Sequence, residues 1–239
     1  MSCSPLDGNR STSDNLNKTL YQIFCRLTGK HERPSFFLAV LINIHRYTET
    51  FANRLAETLH SLCDSTTKVV FMCCPTAFVA FQHTKRLDDA MLLEYDQRFA
   101  VLSPKQFVPY DLDEPNIFPE SLKGSVELAV VDPPFLNEVN HTSFSLNTLL
   151  IILAKVTNHK VVQTLRQILH PTKGKLFLIT STSIEDILHK LYDSPPLGPL
   201  RRTPMKIEHD KLVNDFALWV SWDGLKSLRM DTPVDSKLT

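Results

Sequence analysis

The run Glu127-Leu128-Ala129-Val130-Val131 stops on Asp132-Pro133-Pro134-Phe135. Four consecutive apolar residues without alternation suit a strand covered on both faces, the kind found inside a parallel sheet. Two successive prolines then forbid helix continuation and stiffen the turn. A rigid turn at a strand end leaves polar groups facing a cleft. The Asp132 carboxylate and the Pro133 carbonyl are placed to accept hydrogen bonds from a substrate N–H, and Phe135 to cover that substrate with its ring. A Pro-rich turn after any buried strand would read the same way, so the meaning of the tetrapeptide rests on its surroundings.

Upstream and downstream, strands and helices alternate. Strands are predicted at 68–74, 90–95, 106–110, 127–131, 175–180, 203–208 and 215–222. Helices are predicted at 48–62, from Pro75 to about Leu87, at 159–169 and at 184–191. In the helix at 48–62, Phe51, Leu55, Leu59 and Leu62 share a face, and Thr48 or Thr50 supplies its N-cap. A further short helix is expected at 16–28. The segment 194–204 carries four prolines and reads as a loop. This alternation implies a mostly parallel sheet with helices on both faces. The last two strands have no helix between them, which places an antiparallel hairpin at one edge.

In such sheets, ligands bind beyond the carboxyl ends of the strands. After the second strand stand Glu94 and Asp96, either of which suits a ribose hydroxyl, with Arg98 able to pair with one of them. After the first stand Cys73-Cys74-Pro75-Thr76 where a glycine-rich loop is usual. Small side chains at Cys74 and Thr76 permit a close backbone approach, whereas Cys73 reads as strand packing. Asp111 follows the third strand and suits an adenine amino group.

Other chemistries find little support. Lys plus Arg equals Asp plus Glu, 26 against 26, which disfavours a dedicated duplex-DNA binder. The five cysteines form no C-x-x-C pair and the nine histidines no H-x-x-x-H pair, so neither zinc nor a disulfide framework is expected. Neither a P-loop nor a G-x-S-x-G elbow occurs. The apolar stretches 36–42 and 149–154 fall far short of the roughly 20 residues of a membrane span. No secretory signal opens the chain.

Taken together, Glu94-Tyr95-Asp96-Gln97-Arg98-Phe99, Tyr110-Asp111 and Asp132-Pro133-Pro134-Phe135 resemble the eukaryotic elongation factor 1-alpha lysine methyltransferases. Tyr47-Thr48 is similar to the Tyr-Ser pair of that family, and Asn214-Asp215-Phe216 to its Asn-Glu-Phe strand. The resemblance covers roughly 47–138 and 160–225. It departs at His45-Arg46, at 35–44 and at 139–159, which reads as an insertion after the tetrapeptide.

The resemblance implies a Rossmann-like class I S-adenosylmethionine-dependent methyltransferase, an α/β fold with a mostly parallel seven-stranded sheet and an antiparallel C-terminal strand. It implies a domain at 46–225, which leaves an N-terminal extension at 1–45, whose polar first residues read as partly disordered, and a C-terminal tail at 226–239. It further implies S-adenosylmethionine as cofactor, elongation factor 1-alpha as protein substrate, and a cytoplasmic location. Nucleic acid, membrane and metal are not expected as partners. The implied catalytic residues are Asp132, Pro133 and Phe135. Tyr47, Cys74, Thr76, Glu94, Asp96 and Asp111 are implied for the cofactor, and Phe135 with Asn214 for the substrate. Two alternatives stand beside this reading. One is a nucleic-acid adenine N6-methyltransferase, since the tetrapeptide can hold an exocyclic amine. The other is a catalytically impaired methyltransferase fold serving as an interaction protein.

Overall fold

The computed structural model describes residues 47–134, 144–208 and 215–223, with only the backbone of 144–153. The helix expected at 16–28, the N-terminal extension and the C-terminal tail lie outside the described residues.

Seven strands form one sheet: β1 (Val69–Met72), β2 (Ala90–Glu94), β3 (Phe107–Pro109), β4 (Leu128–Val131), β5 (Lys175–Ser181), β6 (Arg201–Arg202) and β7 (Phe216–Val220). Their order is β3-β2-β1-β4-β5-β7-β6. The pairings from β3 across to β5 are parallel. β7 runs antiparallel to both β5 and β6. The chain thus lays strands outward from β1 in one direction and then, from β4, in the other. That reversal opens a crevice between β1 and β4 at their carboxyl ends.

β1 and β4 are buried along their whole length, as their continuous apolar runs require. Alternate residues face opposite layers. Phe71, Val130, Phe177 and Leu218 pack with α1 (Glu49–His60) and α2 (Pro75–Thr84). Met72, Val131, Leu178 and Trp219 pack with α3 (Phe144–Ile168) and α4 (Glu185–Leu191). In α1, Phe51, Leu55 and Leu59 are fully buried, and Thr48 caps the helix by accepting from the Phe51 amide at 3.2 Å.

Three boundaries differ from the sequence expectation by about three residues or more. α3 begins at Phe144 rather than 159, so most of the segment read as an insertion is the first half of this helix. The buried positions Ala154, Asn158, Val161, Leu165 and Ile168 cross residue 159 at unbroken helical spacing. The strand expected at 203–208 is instead the two-residue β6, inside the segment read as a loop. Thr203 still donates to the Leu218 carbonyl at 2.8 Å, but Pro204 has no N–H and the ladder stops there. Met205 and Ile207 beyond it lie outside the named strands and are buried in the α1 layer. Finally, α2 ends at Thr84 rather than near Leu87.

Candidate active site

The carboxyl ends of β1, β2, β3 and β4 surround one cleft of about 660 Å³, within the usual range for a small-molecule site. Tyr47, Cys74, Thr76, Glu94, Asp96, Asp111 and Asp132 all line it. Of the other expected site residues, Pro133 is buried and is not among the residues lining the cleft. Phe135 and Asn214 lie outside the described residues.

Asp132 extends β4 by one bond: its amide donates to the Met72 carbonyl at 3.1 Å. Its side chain is only 4% exposed, and its Oδ2 accepts from the Tyr47 hydroxyl at 2.5 Å. Tyr47 is itself buried and packs its ring against Phe51, with centroids 5.1 Å apart. Pairing a buried carboxylate with a hydroxyl donor offsets part of the cost of removing both from water.

The turn after β1 carries backbone strain. Cys73 has φ of 57°, a left-handed conformation that favours glycine. It stands one residue past β1, half-buried, lining the cleft and packing against the core layer that holds Met72 and Val131. Its amide donates to the Leu93 carbonyl at 3.0 Å, which holds the turn against β2. Cys74 donates its Sγ–H to the Val130 carbonyl at 3.2 Å across the crevice. Burial pushes the Cys74 thiol well above its ordinary range, with the nearby Asp132 adding to the effect. The thiol therefore stays protonated and serves packing, not nucleophilic chemistry. Pro75 then opens α2, whose N-terminus has no side-chain cap and is lined by Cys74, Pro75 and Thr76.

Glu94 and Asp96 part company in the structure. Glu94 Oε1 accepts from the Tyr95 and Asp96 amides at 2.9 and 3.2 Å. Asp96 caps the short 3-10 helix Gln97–Val101, and both its carboxylate oxygens receive the Arg98 guanidinium. Arg98 holds the Asp96 carboxyl below its ordinary range.

After β3, Asp111 Oδ1 accepts from the Asp113 amide at 2.8 Å. The neighbouring Tyr110 hydroxyl meets Thr164 Oγ1 of α3 at 2.6 Å. Burial pushes the Tyr110 phenol up to about 12, partly offset by that hydrogen bond.

Among the described cleft residues, Leu112, Asp113, Thr157 and Lys160 escape sequence reasoning, which assigns Cys73 to strand packing. The positive φ of Cys73 had no signal, because a cysteine rarely marks such a turn. Thr157 and Lys160 sit on α3 and reach the cleft only through the fold, with Lys160 paired to Asp113. Among the described residues, the lining holds five carboxylates (Glu94, Asp96, Asp111, Asp113, Asp132) against two cations, each engaged by one of the five.

Among the described residues, no group of three His, Cys, Asp or Glu side chains could hold a metal ion. Nor is any helix there long and apolar enough to cross a membrane.

Residues 45–224 match the family model described as probable N6-adenine methyltransferase. The chain is similar to EEF1A lysine methyltransferase 1 of Danio rerio, 30% identical over 186 residues, covering 74% of this chain and 95% of that protein. It is also similar to the protein-lysine N-methyltransferase EFM5 of Saccharomyces cerevisiae, 27% identical over 183 residues, covering 74% of this chain and 69% of that one.

Proposed function

The chain belongs to the probable N6-adenine methyltransferase family, and from that membership we propose that it methylates a lysine side-chain nitrogen of elongation factor 1-alpha, with S-adenosylmethionine as methyl donor. The observation that carries the choice of lysine over adenine is the charge of the cleft. Five carboxylates against two cations attract an ammonium and a sulfonium. The same field repels the phosphates that an adenine in nucleic acid would bring with it.

The donor set fits S-adenosylmethionine. The uncapped N-terminus of α2 suits its carboxylate. Glu94 suits the ribose hydroxyls, a role that falls to it because Asp96 is engaged by Arg98 on both oxygens. Asp111, at the end of β3, suits the adenine amino group. When bound, the cofactor supplies an electrophilic methyl group on a cationic sulfur.

The chain's own residues then prepare the amine. A free lysine has a pKa of about 10.4 and must lose a proton before its lone pair can attack. The acidic mouth attracts the ammonium form. Burial around Asp132 disfavours that charge while the carboxylate favours it, and the proton passes to water at the open mouth as the amine enters the dry site. Asp132 and the Pro133 carbonyl accept from the amine N–H groups and aim the lone pair at the methyl group. Phe135 is assigned to cover the amine, and Asn214 to contact the substrate.

Purified protein incubated with methyl-labelled S-adenosylmethionine and either elongation factor 1-alpha or an adenine-containing oligonucleotide tests this reading. Label is expected on a lysine of the elongation factor. In Asp132→Ala the rate should fall on the order of a hundredfold or more. Label on adenine would overturn the proposal in favour of the nucleic-acid reading. An unbound cofactor would favour a non-catalytic fold.

A further inference from the structure

Tyr47 and Asp132 are 85 positions apart in the chain, yet their side chains meet at 2.5 Å inside the cleft. The resemblance to known sequences assigns Tyr47 to the cofactor, and the geometry gives it a different task. Packing alone would not need the hydroxyl, since a bare ring would lie on Phe51 equally well. A hydroxyl this buried costs stability unless it is hydrogen-bonded, and here its acceptor is the carboxylate on which the reaction turns.

Tyr47 is also held in place. The following residue, Thr48, donates its amide to the Glu208 carbonyl at 2.7 Å and its hydroxyl to Glu208 Oε2 at 3.1 Å. Thr48 simultaneously caps α1. The Tyr47 hydroxyl is therefore a fixed donor and not a mobile one. At the other end, the Asp132 backbone is pinned to Met72 on β1. With the backbone and Oδ2 both fixed, little torsional freedom remains in the Asp132 side chain. A carboxylate is planar, so fixing Oδ2 also fixes Oδ1.

We propose that Tyr47 is a positioning residue for methyl transfer: its hydroxyl holds the Asp132 carboxylate in the orientation that receives the substrate amine. This rests on the assignment of Asp132 to the amine. No covalent bond to Tyr47 forms or breaks. The role links the reaction to the entry of α1 and to the segment at Glu208, neither of which belongs to the strand ends that form the rest of the cleft.

The test uses the full chain with Tyr47→Phe, Asp132→Asn and the double variant. Steady-state transfer to elongation factor 1-alpha, calorimetric binding of S-adenosylmethionine and NMR of 13Cζ-labelled tyrosine are measured on each. Tyr47→Phe is expected to lower kcat on the order of tenfold to a hundredfold. It should leave the Kd for S-adenosylmethionine within about twofold, which also shows that the variant is folded. The double variant should be no slower than Asp132→Asn alone, as for two groups acting as a unit. The Tyr47 signal, assigned by its loss in Tyr47→Phe, should move in Asp132→Asn.

Cofactor affinity lost with kcat retained would overturn the proposal and return Tyr47 to cofactor binding. Unchanged kcat, additive effects or an unmoved tyrosine signal would also overturn it. If the unmodified chain transfers no label, the assigned reaction fails and this proposal with it. Transfer by the unmodified chain with Tyr47→Phe unaffected defeats this proposal alone.

Discussion

At the scale of single residues, the cleft separates acids that look alike in sequence. Glu94 and Asp96 flank Tyr95, and nothing in their spacing chooses between them. The structure gives Asp96 a local task, capping a 3-10 turn and binding Arg98. Glu94→Ala should therefore weaken S-adenosylmethionine binding by roughly tenfold or more, the worth of hydrogen bonds to a charged acceptor. Asp96→Ala should leave that affinity within a few-fold and act mainly on its own loop. Calorimetric titration of both variants decides the matter, and equal losses would contradict the assignment. Cys73 offers a second contrast. Its left-handed φ is strained for a residue with a Cβ. Cys73→Gly should raise stability by about 1 kcal/mol relative to the parent, offset in part by the greater flexibility of glycine when unfolded. A lower denaturation midpoint would show that the thiol makes contacts worth more than the strain.

At the scale of elements, the N-terminus of α1 connects core and cleft. Thr48 closes the first turn of the helix and ties it to Glu208, so the residue before it is delivered to Asp132. Thr48→Ala should cost about 1 kcal/mol, the usual worth of an N-cap, and lower Tm by about 2–4 °C. Thermal unfolding followed by circular dichroism measures this. An unchanged Tm would mean that the Glu208 segment holds the helix start without the cap. The same scale explains the two misread elements. The helix expected from 159 begins at Phe144: the family resemblance, which marks 139–159 as an insertion, gives no helix signal there, while the chain's own helix runs through most of it. β6 lies within a proline-rich stretch, where Arg201 and Arg202 pair with β7 and Thr203 adds one more bond before Pro204 ends the ladder.

At the scale of the whole molecule, a chain of zero formal charge concentrates carboxylates at one cleft. Capture of a cationic side chain by that cleft is an electrostatic effect and is screened by salt. Raising ionic strength from about 0.05 to about 0.5 M should increase KM for the protein substrate while moving kcat little. A KM that stays level or falls would indicate that apolar contacts, not charge, bring the substrate in. The net charge read from the sequence could not reveal this asymmetry, because it averages over a surface on which the opposite signs are unevenly distributed. Legible in advance were the strand-helix order, the parallel sheet, the antiparallel final strand and the acids at the strand ends. These follow from apolar runs, prolines and local spacing, which are properties of neighbouring residues. Tertiary structure alone decided which acid is engaged by Arg98, that Cys73 adopts a glycine-like turn, and that Thr157 and Lys160 reach the cleft. It also decided that Tyr47 meets Asp132, because a hydrogen bond between residues 85 positions apart exists only once the sheet has brought α1 to the end of β4.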